Sequence, residues 1–443
     1  MCEGECVKTK SLLLITALAC LGGMAGGSEV IELKMDSERR ILKTTDDECV
    51  IQVEVGGRKK PDEKRKVPMN LAIVLDRSGS MSGAKIERAR QAAALALGLV
   101  GPDDTFALVV YDNEVETIIP AGKVKDVSEL EKRIQAINSG GSTALHAGVT
   151  EGAIQLRKFF DKEKINRVIL LSDGIANVGP SSPTDLANLG RDLAGEGISV
   201  STIGLGDDYN EDLMTALAEA SHANYYYVKD AEKLPDIFAE ELGTVKSVVA
   251  RNLRLIITLP EGIVGKAVLG EKEFEFKSGS VTIPVGEVSA GQRRRFLVKV
   301  AVPAGETKEI PLAKVAMEYA DAEGAIQKSS AAYSAQRTAD VALSENSIQA
   351  EVAGNVAVVR NRLAKEEAVA LADKGKVAEA ADLLRRQAEA NAALPAAAQN
   401  DIIRAEQKVL TRRASEMEAT GGLSKSSRKL IQYENYQDKK QKR

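Results

Sequence analysis

Asn70–Leu71–Ala72–Ile73–Val74–Leu75–Asp76–Arg77–Ser78–Gly79–Ser80–Met81 is the stretch from which the fold can be read. Leu71–Leu75 is apolar at every position, as a strand covered on both faces requires, and it runs straight into an oxygen-rich turn. Lys85–Leu99, just downstream, is Ala- and Leu-rich and reads as a helix. Thr105–Val110, Val168–Leu171 and Ile198–Ile203 repeat the buried-strand pattern, with helical stretches over 145–160, 184–195 and 210–220. This alternation predicts an α/β, doubly wound, mostly parallel sheet whose ligand site sits at the carboxyl ends of its strands.

The flanks follow a different period. Ile51, Val53 and Val55 alternate with polar residues, and so do Leu253, Leu255, Ile257 and Leu259. Val281, Ile283 and Val285, then Phe296, Val298, Val300 and Val302, continue that pattern. Period-two alternation between turn residues means antiparallel strands with one buried face. The N-terminal strands are too few for a stable sheet of their own. They are therefore expected to join the later strands in one β-sandwich, with the α/β domain inserted between. After about residue 338 the chain turns Ala-, Glu- and Arg-rich: Val352, Val356, Val359 and Leu363 share one helical face, and Val377, Ala381, Leu384 and Ala388 another. Residues 366–392 read as one plain helical hairpin, since a solenoid needs about three repeats. The expected organisation is a leader over 1–27, sandwich strands over 28–66, the α/β domain over 67–248, the remaining sandwich over 249–337, and helices with a basic tail over 338–443.

Composition narrows the function classes. Lys and Arg number 60 against 64 Asp and Glu, a net charge of −4, which argues against nucleic acid as the main partner. The two histidines, His146 and His222, exclude an HExxH zinc site or any multi-His centre, so a metal here must be held by oxygen. Lys8 and Lys10, the apolar stretch 11–21 and the small residues through Gly27 have the layout of a secretory signal peptide, placing the mature chain outside the cytoplasm. The alternatives are an N-terminal helix or a membrane anchor, though the apolar run is short for a span. Ala17–Leu18–Ala19–Cys20 also resembles a lipobox, a secondary reading that would make Cys20 the acylated residue. After cleavage only Cys49 remains, so no intramolecular disulfide is expected. The last nineteen residues carry seven bases and two acids, and are expected to be a solvated, frayed tail, with contact to an anionic surface as the alternative.

Three oxygen-rich loops fall at strand ends or helix starts. Asp76-x-Ser78-x-Ser80 follows the first strand, Gly140–Gly141–Ser142–Thr143 opens a helix, and Ser172–Asp173–Gly174 ends the Val168–Leu171 strand. A hard divalent cation takes about six oxygens, and Mg2+ typically pairs one or two carboxylates with waters. Asp76 and Asp173 supply two charges, while Ser78, Ser80 and Thr143 supply neutral hydroxyls that leave the ion electrophilic. An open position on such an ion suits an Asp or Glu carboxylate from a protein partner.

In this combination the residues resemble a von Willebrand factor A domain with an intact metal-ion-dependent adhesion site. The motif residues are Asp76, Ser78, Ser80, Thr143 and Asp173. Leu171–Gly179, Ile203–Leu213 and Asn224–Tyr227 strengthen the likeness, which is greatest to bacterial secreted A-domain proteins and to the A domains of inter-alpha-trypsin inhibitor heavy chains and calcium-activated chloride channel regulators. The resemblance implies direct metal contacts from the Ser and Thr hydroxyls and direct or water-mediated contacts from the Asp residues. It implies a non-enzymatic adhesion or assembly module with Mg2+ as the first choice of ion, Mn2+ or Ca2+ as alternatives. A structural envelope factor with a merely stabilising metal, or a metal-assisted hydrolase, are the competing readings; there is no Gly-x-Ser-x-Gly elbow and no P-loop.

Neighbouring residues receive plainer roles. Ser82 and Ser142 read as helix caps. His146 reads as a surface residue of a first helical turn, and His222 as a turn residue. Tyr225–Tyr226–Tyr227 is expected to place one ring in the core and the others at an edge. Asp207–Asp212 lacks the EF-hand order and reads as a turn entering a helix.

Overall fold

The computed structural model describes residues 30–45, 47–58, 67–271, 273–306, 308–321, 323–394 and 398–441. The expected leader with Cys20, part of the charged linker and the last two residues lie outside the described residues. Strands β1 (Ile31–Ser37), β2 (Ile41–Lys43) and β3 (Asp47–Gly57) come first. The α/β unit opens with β4 (Met69–Asp76), α1 (Ala84–Gly98), β5 (Thr105–Tyr111), β6 (Val115–Gly122), α2 (Val127–Gln135) and α3 (Leu145–Arg157). It continues through β7 (Ile165–Ser172), α4 (Pro183–Glu196), β8 (Ile198–Leu205), α5 (Glu211–Ala220), β9 (Tyr225–Val228) and α6 (Leu234–Lys246). Then come β10 (Val248–Thr258), β11 (Val264–Val268), β12 (Ser280–Ser289), β13 (Arg293–Val302), β14 (Glu309–Ala320) and β15 (Ile326–Thr338). The helices α7 (Val341–Glu345), α8 (Ala350–Asp373), α9 (Val377–Ala392), α10 (Asp401–Thr420) and α11 (Lys425–Lys440) follow.

The central sheet has the order β6-β5-β4-β7-β8-β9, parallel except for β6 at one edge. All eight residues of β4 are buried because helices cover both faces. Leu71, Ile73 and Leu75 enter the core under α1 and α6, while Ala72 and Val74 enter the opposite core under α3. Glycine lets α3 approach the sheet closely. A Cβ on Gly148 would stand 2.6 Å from the Tyr111 ring, and one on Gly152 would stand 2.6 Å from a Val74 methyl. Tight capping fixes α4, with a Ser182–Asp185 capping box, Pro183 in the first turn and Gly197 left-handed at the end.

The chain on either side of this unit forms one sandwich. Its sheets run β1-β3-β13-β11 and β12-β10-β14-β15-β2. The alternating residues seen in the sequence, Ile51, Val53, Leu255, Ile257, Ile283 and Val298 among them, make up its core. Arg167, at the start of β7, ties the two units together: it is 3% exposed, pairs with Glu241 at 3.3 Å and also pairs with Glu287 of β12.

The C-terminal region departs from expectation in two ways. The helical hairpin is extended by α10, whose Leu410, Ala414 and Met417 pack with Ala380, Ala381 and Leu384 of α9, so the apolar faces close a bundle. Val352 and Val356 of α8 instead pack on Val50 and Leu297 of the sandwich. The second departure is a correction. The basic tail is not solvated or frayed through its described part: it is α11, laid across α5 and β9. Tyr436 is buried against Tyr225 edge-on at 5.6 Å, and its hydroxyl donates to the Ala223 carbonyl. Lys429 is 3% exposed and pairs with Glu211, Arg428 reaches Glu211, Asp212 and Asp373, and Lys439 pairs with Glu219. Acids of this chain, rather than an external anionic surface, face those bases.

This packing also corrects the tyrosine expectation. Both Tyr225 and Tyr226 are fully buried, one in each core, because α11 and α6 cover the two faces of edge strand β9. Tyr227 is half-buried and donates to Asp207.

Candidate metal centre

Parallel strands β4 and β7 end side by side, with Leu75 opposite Leu171, so Asp76 and Asp173 emerge next to one another. Both are 0% exposed. Asp76 is held rigidly: one carboxylate oxygen accepts from the Ser78 amide at 2.8 Å, and the other from the Ser172 hydroxyl at 2.7 Å. Burial pushes its pKa up to about 6, and the nearby Asp173 charge adds to this against the hydrogen bonds from Ser78 and Ser172. Ser80 Oγ lies 3.1 Å from Ser78 Oγ and donates to Asp173 Oδ1 at 2.6 Å.

Thr143 arrives from the Gly140–Thr143 loop. That loop is pinned to the first by Gly79 N to Gly141 O at 3.0 Å and Gly140 N to Arg77 O at 2.7 Å. Its backbone amide donates to Asn177 Oδ1 at 2.9 Å. Gly174 shows how closely the hydroxyls converge. A Cβ there would lie 3.2 Å from Thr143 Oγ1, 3.3 Å from Ser80 Oγ and 3.8 Å from Ser78 Oγ. The structure therefore brings all five residues singled out from sequence to one place: two buried carboxylates and three convergent hydroxyls. Among the described residues no group of three or more His, Cys, Asp or Glu could hold a metal, so any ion here would rely on those hydroxyls. Such a donor set fits a hard divalent cation and does not fit zinc.

Several participants escaped the sequence reading. Lys85, on the first turn of α1, pairs with Asp173 Oδ2. Ser172 locks Asp76, and Asn177 positions Thr143. Ser172 and Asn177 lie within motif segments already noted, but nothing local distinguishes Lys85 from any exposed helical lysine. Two cap expectations fail. The residue preceding α1 is Gly83, with φ +74°, rather than Ser82, and the one preceding α3 is Ala144 rather than Ser142. In each case the turn geometry that orients the hydroxyl loop sets the helix start one or two residues later. His146 lies on the first turn of α3, and Asn210 caps α5 after the acidic turn.

The Lys85 ammonium and a divalent ion would repel one another across Asp173. Lys85→Met is expected to tighten Mg2+ binding by roughly tenfold, about 1.4 kcal/mol of relieved repulsion. Titration calorimetry checks this; unchanged or weaker binding would contradict it.

Comparison with known proteins agrees with this geometry. Residues 70–240 match the model of the von Willebrand factor type A domain. An uncharacterized protein of Synechocystis sp., sll0103, is 26% identical over 201 residues, 45% of this chain and 47% of that protein. Inter-alpha-trypsin inhibitor heavy chain H3 of Homo sapiens is 27% identical over 40% of this chain and 21% of its own length. The chain thus spans less than half the length of these curated relatives. The structure titled von Willebrand factor type A from Catenulispora acidiphila superposes with a TM-score of 0.71 at 16% identity, over 93% of this chain and 96% of that one. That likeness reaches beyond the α/β unit to the flanking architecture. With the hydroxyl-and-carboxylate loops at the head of its central sheet, residues 70–240 form a domain of the von Willebrand factor type A kind.

Proposed function

We propose that this protein is an extracytoplasmic binding module in which a divalent cation, Mg2+ first among candidates, is held by Asp76, Ser78, Ser80, Thr143 and Asp173 and receives an Asp or Glu carboxylate of a protein partner. The convergence of the three hydroxyls on Gly174 between two fully buried carboxylates carries this reading. When bound, the ion supplies a Lewis-acidic position for an incoming anion. The chain does the remaining work. Ser78 N and Ser172 hold Asp76 in one rotamer, the Gly79–Gly141 bond locks the loops together, and Asn177 fixes Thr143. Ile175, 61% exposed, and Val178, 37% exposed, sit on the loop after Asp173 and offer apolar contact beside the ion. The extracytoplasmic setting rests on the leader-like pattern through Gly27.

The test is partner retention from an extract of the native organism on immobilised protein. Retention should be lost in EDTA, return with Mg2+, and be absent for Asp173→Ala whose circular dichroism matches the parent. Retention that survives both EDTA and the substitution would refute a metal-bridged contact.

A further inference from the structure

Three adjoining cavities open between the α/β unit and the sandwich, and His222 lines all of them. His222 precedes β9, so this cleft lies at the amino ends of the parallel strands, away from the candidate metal centre. The largest cavity, about 780 Å³, runs between α4, β13 and the end of α11; another of about 460 Å³ continues to β10. Such volumes suit small molecules.

Charges along the cleft do not balance. Lys439 bridges Glu219 and Glu271, at 3.3 and 3.4 Å, while Glu287 is held by Arg167 and Glu196 by Arg157. Glu273 is then the one lining carboxylate without an ion pair among the described residues. Against it stand Arg251, Arg294, Arg191, Lys162 and Lys164, none of which forms an ion pair among the described residues. The two strand-borne arginines are the informative ones. Arg251 is 4% exposed and, among the described residues, donates to the carbonyls of Lys162 at 2.6 Å and Asp321 at 3.0 Å. Arg294 lies over the Phe296 ring at 5.9 Å. The Nε atoms of both are buried without a hydrogen-bond partner among the described residues. Burial lowers the pKa of each guanidinium by more than the nearby carboxylates raise it, Glu287, Glu163, Asp161 and Asp321 for Arg251 and Glu271 for Arg294.

We propose that this cleft binds a small multivalent anion of phosphate or carboxylate chemistry, with Arg294 as its main contact and Arg251 lining its continuation. The anion would add a direct charge contact to guanidiniums that have carboxylates nearby but no ion pair among the described residues. This inference stands independently of the metal reading.

His222 is a built-in reporter. Burial pushes its pKa down to about 4; the positive charges of Lys440 on α11 and Arg294 on β13 push the same way, and Glu273 opposes them. Arg191 of α4, Glu219 of α5 and Lys439 of α11 line the same cavity. A bound anion cancels the positive field, so the imidazole should bind its proton more tightly. The experiment is an NMR titration of the His222 ring in the full chain, with inorganic phosphate or citrate at ionic strength matched with chloride. His146, the other histidine, serves as the internal reference.

The expected result is a rise of about one unit in the His222 pKa, a tenfold change in proton affinity, at millimolar anion. Arg294→Gln should weaken the anion at least about tenfold, the usual scale for losing a charge-assisted contact. Lys164→Gln, a half-exposed change that leaves the fold alone, should weaken it by roughly two- to threefold. Tighter binding of either anion supports the proposal and identifies the ligand chemistry. A His222 titration no different from that in chloride alone overturns it, as does a response unchanged in both variants.

Discussion

Tyr436→Ala should lower the unfolding free energy by about 3–5 kcal/mol, the usual cost of removing a large buried aromatic. Tyr436 is 2% exposed on the last helix, stands edge-on to Tyr225 at 5.6 Å, and gives its hydroxyl to the Ala223 carbonyl. Truncation would leave a cavity under β9, an unpaired carbonyl and a weakened seat for Lys429 on Glu211. Tyr436→Phe keeps the ring and should cost only about 1 kcal/mol, the net worth of one hydrogen bond. Urea denaturation of the two variants separates packing from hydrogen bonding. An unchanged midpoint for the alanine variant would mean that the basic segment is a loose tail after all.

Asp76→Ala should weaken Mg2+ binding by more than about a hundredfold, since outer-shell partners alone are worth about 10- to 100-fold. Calorimetry checks it, and retained affinity would remove Asp76 from the ligand set. A second consequence concerns pH. In the metal-free protein Asp76 titrates at about 6 against an ordinary 3.8, so the folded state binds that proton more tightly than the unfolded chain. Its contribution to stability is fully present below the unfolded value and is lost as the pH rises through about 6. The difference is worth roughly 3 kcal/mol at about 1.4 kcal/mol per unit. The metal-free protein should therefore lose stability between about pH 4 and 6, and Mg2+ should restore it at pH 7 by binding only the folded state. Asp76→Asn should flatten that slope and abolish the Mg2+ effect. Thermal unfolding across this range, with and without Mg2+, would contradict the account if the Asn variant kept the parent's slope.

Legibility in the sequence follows how local each signal is. The Leu71–Leu75 run announces a strand with two covered faces, and Asp-x-Ser-x-Ser directly after it places oxygen donors at a strand end. Thr143 and Asp173 lie far along the chain, yet each sits in a short oxygen-rich loop at an element boundary, so the convergence of these side chains was readable before any contact was known. Lys85 was not, because nothing on α1 marks one lysine for Asp173 until strand pairing brings β7 beside β4. Ser82 and Ser142 have the chemistry of caps, but the loops that aim the site hydroxyls take precedence over capping.

The sequence by itself determined the central sheet, the sandwich around it and which five oxygen-bearing side chains would converge, because hydrophobic period and strand-end chemistry are written in contiguous residues. Tertiary structure decided where the charge went. The acids of 207–212 and the bases of 425–440 are complementary, but more than two hundred residues apart, and only folding sets Glu211 under Arg428 and Lys429. It also gave the two histidines different surroundings, His146 on the first turn of α3 and His222 in an electropositive cleft. Long-range electrostatics depends on which surfaces meet, and that depends on packing rather than on any local pattern.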